Sequence, residues 1–497
     1  MQVRSLIVNL GSSYAHIVLS VLLNVMYIPI ALNYMGVEKY GVWVVILSII
    51  NYLNLANFGI PTAVTNLISQ SNDQNEKVGL LLKGFKILII GCLIILSLGL
   101  LAFLAIINYT SWTRNLSTEI QTASILLVLF YILRIPFQVS SASFIANKKV
   151  YLTKIYDFLA VAITFLSLLL TIYLNQTLIF LSLISGILLL SLNILSLLHA
   201  VKVLNVRNYT ASITSVSSKD IYRPGLGLLA AGLGSLIVWN TDNIIISKFL
   251  GFEEVAAYST AFRMFSFGYM SFGLIHALFI PYYGESYKNK SWERLQMLFN
   301  INLLGLPLVA ACVWLLGWLF AKDIIFLWLG SDRLYAGSTL YFILGAYGLV
   351  LACAGVMFNL LTSLNLLKAL FYLTVAEAVL NLCASVYLVK IFGYNGVAFG
   401  TLVGSIVVPL LCLPYLIQKS SKLEIAFPYR SFINSLIVYG GLLSLLFFVE
   451  ADQYTLEIKF SISVFCMVSL ILIQFILNRQ LVKEVYRIIN LGFNSRL

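Results

Sequence analysis

Arg134 lies near the middle of residues 120–145 (IQTASILLVLFYILRIPFQVSSASFI), an apolar run of membrane-spanning length. A cation at that depth costs roughly 3 kcal/mol to insert, so it faces a polar cavity or a partner rather than lipid. Gln138 follows at i+4 and Ser141 at i+7, which aligns three polar side chains on one helix face. A guanidinium can hold phosphate oxygens in a bidentate fork. The acids of residues 1–200, Glu38, Asp73, Glu76, Glu119 and Asp157, all fall at other depths. An unpaired buried cation favours an anionic ligand. The alternative is an arginine bound to backbone carbonyls beside a kink at Pro136.

Other apolar runs carry further candidates. Asp242 and Arg263 sit at similar depths on consecutive antiparallel segments. They read as a structural salt bridge or a proton-sensitive gate, with direct phosphate contact by Arg263 as a third reading. Glu377 is followed by Asn381 at i+4 and Ser385 at i+8. It reads as a proton carrier, a partner for a cation across a lumen, or a hydroxyl-bonded structural acid. Ser12, His16, Ser20 and Asn24 form an i+4 ridge, and Asn51, Asn54 and Asn57 an i+3 ridge. Such ridges line a lumen or hold helices together. His16 and His276 fall near the ends of their segments. They read as titrating gate residues or as ordinary hydrogen-bonded side chains. Six cysteines lie in or beside apolar runs without metal-ligand spacing, so they read as small packing residues and no metal site is expected.

The elements that must position these residues are membrane helices. The 497 residues are 61% hydrophobic and only 10% charged, with a mean hydropathy of +0.97; a soluble domain carries about 25% charged residues. The expected fold is an all-α polytopic membrane protein with about 14 transmembrane helices. The first apolar run is long and lacks a small-residue cleavage site, so it reads as the first span. With that count, 22 of the 31 Lys and Arg fall on the side holding both termini, seven fall on the other, and Arg134 and Arg263 lie inside spans. The positive-inside rule then puts both termini in the cytoplasm. The net charge of +12 is thus a topology signal, with a smaller contribution to anionic-lipid contact, and no nucleic-acid partner is expected.

The longest hydrophilic stretch divides the chain. The expected organisation is a six-helix lobe over 1–200, a cytoplasmic linker over 201–223, a second six-helix lobe over 224–417, and two further helices with a basic tail over 418–497. A weak repeat supports this. Gly36, with Glu38 two residues on, matches Gly251 and Glu253 at an offset of 215 residues, and Pro61 matches Pro281 at 220. Repeated six-helix halves are a common transporter plan.

Several motifs carry a resemblance. Gly36–Trp43 (GVEKYGVW), Asn57–Pro61 (NFGIP), Asp242–Gly251 (DNIIISKFLG), Ala256–Arg263 (AAYSTAFR), Phe326–Gly330 (FLWLG) and Phe392–Gly400 (FGYNGVAFG) resemble the bacterial polysaccharide-biosynthesis transporters. That family includes the Wzx-type O-antigen and capsule repeat-unit flippases, of the superfamily shared with multidrug extruders and the peptidoglycan lipid flippase. The resemblance implies two six-helix lobes around a central cavity, and export of undecaprenyl-diphosphate-linked oligosaccharide across the bacterial cytoplasmic (inner) membrane by alternating access. It also implies membrane lipid, a polysaccharide polymerase and a chain-length regulator as partners. The peptidoglycan lipid flippases carry arginines in the first two spans; this chain has none there.

On this reading the substrate-contacting residues are Arg134, Gln138, Arg263, Asn24, Asn51 and Asn54. The coupling or gating residues are Asp242, Glu377, His16 and His276. No phosphate-binding GxxxxGK[ST] loop occurs, so no cofactor is expected and the drive is a proton or sodium gradient or the membrane potential. A multidrug or cation antiporter would favour an acidic lumen. A membrane glycosyltransferase or polymerase would need a large outer loop, and the longest here are about a dozen residues. The expected protein is therefore not an enzyme.

Overall fold

Apolar solvent forces backbone groups to bond within their own segment, and helices are the outcome. The structure is a computed structural model that describes residues 2–109, 117–204, 221, 237–364, 366–419, 424–447 and 453–478. Among them there is no strand. Among the described residues twelve helices are long and apolar enough to cross a membrane, against the fourteen expected. Helices over 237–249 and Tyr429–Phe447 stand where spans 7 and 13 were expected. The remaining residues of those two spans, most of the linker and the basic tail lie outside the described residues. The chain divides into two compact units, Met1–Leu236 and Ile237–Leu497.

The first unit contains α1 (Gln2–Met35), α2 (Val37–Leu53), α3 (Ile60–Gln70), α4 (Gln74–Tyr109), α5 (Thr118–Arg134), α6 (Ser140–Ala146), α7 (Val150–Tyr173) and α8 (Leu178–Val203). Two segments expected to be continuous are broken. Between α2 and α3 the chain tightens into a 3-10 turn, Asn54–Asn57, and then passes through left-handed Phe58 and Gly59. Between α5 and α6 lies a 3-10 turn over Ile135–Val139. Pro136 explains the second break, because it has no N–H to donate. The carbonyl of Ile132, four residues earlier, instead accepts from the buried Cys92 thiol at 3.3 Å. Both turns rest on one apolar core that includes Ile60, Val64, Leu88, Ile132, Ile135 and Val139.

The second unit contains α9 (residues 237–249), α10 (Phe252–Lys288), α11 (Trp292–Leu319), α12 (Ala321–Leu329), α13 (Ser338–Ser363), α14 (Leu367–Phe392) and α15 (Tyr394–Ser405). A π turn over Ile406–Leu410, holding Pro409, leads into α16 (Leu411–Lys419). Then come α17 (Tyr429–Phe447) and α18 (Leu456–Leu477). The repeated glycines do the same local job in both units. Gly36 and Gly251 have φ of 77° and 106° and start α2 and α10, each helix carrying an acid in its first turn. The repeated prolines do not. Pro61 opens α3 after a break, whereas Pro281 lies inside unbroken α10.

Buried polar contacts tie the last two helices to this unit. The Gln474 amide on α18 donates to the Leu304 carbonyl of α11 at 2.9 Å and accepts from Ser435 of α17 at 2.9 Å. Nearer the other end of α18, Lys459 pairs with Asp323 of α12 at 2.5 Å, with the lysine side chain only 3% exposed. These helices are integral to the unit's packing rather than appended to it.

Candidate functional site

The two breaks of the first unit meet, and polar side chains fill the meeting place. Asn57 donates to Gln138 Oε1 at 3.0 Å, and Gln138 Nε2 reaches Asn54 Oδ1 at 3.4 Å. The Tyr131 hydroxyl also donates to Asn54 Oδ1. Arg134 lies in this cluster, its guanidinium carbon 5.8 Å from the centre of the Tyr131 ring. Its Nε is buried without a hydrogen-bond partner, and among the described residues it makes no ion pair. The geometry follows from local structure. Ile132, Ile135 and Val139 turn into the core and Tyr131 packs against it, which leaves Arg134 and Gln138 beside the Tyr131 ring and hydroxyl. The asparagines spaced by three are brought into line by a helix of three residues per turn. Of the expected substrate-contacting residues, Arg134, Gln138 and Asn54 thus lie together, joined by Tyr131 and Asn57. Broken helices at polar positions are the usual architecture of a membrane binding site, where irregular backbone lines a cavity.

The second cluster is acidic. Asp242 of α9 is buried and accepts from the Tyr258 hydroxyl at 2.5 Å and from Thr401 at 3.2 Å. Arg263 forms no ion pair with it, because the carboxylate is already occupied by these hydroxyls and Arg263 lies five positions beyond Tyr258, on another face of α10. One turn along α15 from Thr401, Ser405 donates to Glu377 of α14 at 2.6 Å. Asn381 donates to Thr401 at 2.8 Å, and its own Oδ1 is buried without a partner. Thr401 and Ser405 thus link Asp242 and Glu377 in a single ladder that ends at the π turn. Tyr258, Phe262, Tyr269 and Tyr347 wall it with stacked and edge-on rings.

The other expected residues have different surroundings. Asn24 donates back to the Ser20 carbonyl at 2.7 Å, and Ser12 to that of Asn9 at 2.9 Å, so part of the α1 ridge bonds to its own helix. Asn51 is exposed on α2, and His16 is half-buried on α1. His276 is not at a helix end. It is buried within α10 with neither ring nitrogen hydrogen-bonded, and a Cβ on Gly355 of α13 would stand 2.4 Å from its Nε2. All six cysteines are unpaired. Among the described residues no cluster of three or more His, Cys, Asp and Glu is placed to hold a metal ion.

Sequence reasoning missed Tyr131, Thr401 and Ser405. The hydroxyls at 401 and 405 share a helix face, a readable sign, but the sequence does not say which carboxylates they meet.

Long apolar helices, breaks at polar residues and a buried carboxylate ladder define a transporter-type, multi-pass membrane protein. The fold is similar to that of "Lipid II flippase MurJ", with a TM-score of 0.69 at 17% identity, covering 96% of this chain and 100% of that one. It is also similar to a multidrug resistance MATE family transporter, with a TM-score of 0.65 at 16% identity, covering 81% and 96%. Residues 7–287, more than half of the chain, match the family described as polysaccharide biosynthesis protein, and the chain belongs to that family. Residues 233–387 also match MatE. A candidate O-antigen transporter of Salmonella typhimurium is 27% identical over 219 residues, which is 43% of this chain and half of that relative. Another, of Salmonella typhi, is 22% identical over 409 residues, covering 79% of this chain and 91% of the relative.

Proposed function

We propose that the protein flips undecaprenyl-diphosphate-linked oligosaccharide across the bacterial inner membrane, both termini cytoplasmic, by alternating access, for surface polysaccharide assembly. The observation that carries this reading is the unpaired Arg134 guanidinium among Tyr131, Asn54, Asn57 and Gln138. A sugar diphosphate crossing a membrane needs a replacement for its hydration, since each unmatched polar group costs several kcal/mol. Arginine supplies charge and a forked donor to the diphosphate. The amides and phenol supply both donors and acceptors to hydroxyls. The relatives named as candidate O-antigen transporters and the flippase-like fold support the same substrate class. The protein does no covalent chemistry on this reading. Product passes to a polymerase and chain-length regulator outside.

The test is a chromosomal deletion. Cells lacking the protein should lose surface polysaccharide and accumulate the completed lipid-linked oligosaccharide on the inner leaflet. Unchanged polysaccharide together with new drug sensitivity would favour a multidrug exporter instead.

The Asp242–Glu377 ladder supports cation coupling. A buried carboxylate without a counter-charge is costly, and Asp242 has only neutral partners. It therefore takes up a proton or sodium, with Asn381 Oδ1 as a further oxygen ligand. The Asp242→Asn variant should keep substrate binding and lose stimulation of transport by an imposed ion gradient in sealed vesicles. Stimulation equal to wild type would remove Asp242 from coupling.

A further inference from the structure

A second cationic place in the first unit lies away from the breaks. At one shared end of the consecutive helices α7 and α8 there is an open pocket of about 720 Å³, lined by Lys149, Tyr156, Leu195, Leu198, His199 and Lys202 among others. We propose that this pocket seats the phosphate headgroup of an anionic membrane phospholipid. The inference rests on the membrane-protein fold and is independent of what the protein transports.

Charge is the first argument. Among the described residues neither Lys149 nor Lys202 has an ion-pair partner. The nearby acid of α7, Asp157, is taken by Lys154 at 3.0 Å. Lys149 immediately precedes α7, at the positive end of that helix, and α7 has no acid in its first turn. A cation at a helix N-terminus is unfavourable, and an anion there relieves it.

Shape is the second argument. The floor is a preformed aromatic group. Phe144 stacks on Tyr156 with ring centres 5.8 Å apart and planes 7° from parallel, and it meets His199 edge-on at 5.4 Å. The Tyr156 hydroxyl and His199 Nδ1 share a hydrogen bond of 3.1 Å, which leaves Nε2 for an occupant. The third argument is the apolar rim. Leu195 and Leu198 are 57% and 63% exposed, two turns and one turn before Lys202 on the same helix. Leucines so exposed on a spanning helix face acyl chains, while Lys202 ends the helix where headgroups begin. An occupant with a phosphate head and hydrocarbon tails satisfies both parts.

The test is native mass spectrometry of the full-length protein in detergent, titrated with phosphatidylglycerol or phosphatidylcholine. The Lys149→Gln/Lys202→Gln double variant should bind phosphatidylglycerol roughly ten-fold more weakly, with phosphatidylcholine binding unchanged. Lys202→Gln alone should show part of the loss, which guards against misfolding of the double variant. The charge-matched Lys288→Gln/Lys368→Gln control, in the other unit, should retain wild-type preference. Equal loss in that control, or none in the double variant, would overturn the proposal. Two competition arms separate the sources of phosphate. Displacement of phosphatidylglycerol by millimolar inorganic phosphate would make the pocket a free-anion site. Displacement by undecaprenyl phosphate at lower concentration would assign it to the transported lipid. Either result would also overturn the proposal.

Discussion

Cells carrying Arg134→Ala should make the protein at its normal level and lose their surface polysaccharide. The protein level holds because Arg134 contributes little to folding. It makes no ion pair among the described residues, and its Nε is an unpartnered buried donor. Removing it forfeits one ring contact of about 0.5–1 kcal/mol and relieves an insertion cost of roughly 3 kcal/mol. Transport fails for the opposite reason. Two charge-assisted bonds to a diphosphate are worth about 1.5–3 kcal/mol each, so their loss weakens substrate retention by roughly a hundred-fold or more. Arg134→Lys keeps the charge without the fork and should restore part of the polysaccharide. Immunoblotting and polysaccharide gels read both outcomes. Normal polysaccharide in the alanine variant would remove Arg134 from the site.

The second large effect concerns three glycines one turn apart on α15. A Cβ at Gly396 would stand 2.1 Å from the Leu388 carbonyl oxygen of α14. At Gly400 it would stand 2.6 Å from the Ser385 amide nitrogen, and at Gly404 3.2 Å from Asn381 Cβ. Small residues at this spacing let two membrane helices approach backbone to backbone. At Gly396 and Gly400 the obstacle is main chain, which no rotamer change can move. Gly396→Ala should therefore force α14 and α15 apart at a cost of about 3 kcal/mol. It should also separate Asn381 from Thr401 and Glu377 from Ser405, now 2.8 and 2.6 Å apart. A fall in the thermal unfolding midpoint of the detergent-solubilised protein is expected. Gly440→Ala, whose Cβ would meet nothing within 4 Å, is the control and should be neutral or slightly stabilising. Equal midpoints for the two variants would refute the close-approach account.

The Gly396–Gly404 spacing was visible in the letters, yet its meaning was not. The same holds for the candidate site. Arg134 stood out in the sequence because charge in an apolar run is costly at any orientation, and Gln138 followed from helix periodicity alone. Asn54 was legible as part of a ridge. That its segment is a 3-10 turn, facing a second 3-10 turn at Pro136, was not, because each break is stabilised by contacts from the other and from Cys92. Asp242 and Arg263 illustrate the limit. Their equal depth suggested an ion pair, but depth along a helix says nothing about rotation about its axis, and Tyr258 and Thr401 occupy the carboxylate instead.

What the residues determined unaided is whatever depends on transfer from water to lipid or on local backbone sterics: the all-helical class, most of the spans and the rare intramembrane charges from the first, and the repeated glycines at 36 and 251 from the second. What required the assembled helices is whatever depends on which faces meet. That includes the joined breaks around Arg134, the hydroxyl ladder between Asp242 and Glu377, the buried polar ties of the last two helices, and the lysine pocket beside His199. Hydropathy is a sum over single residues, whereas these contacts join residues tens to more than a hundred and fifty positions apart. Their geometry exists only once the helices have packed.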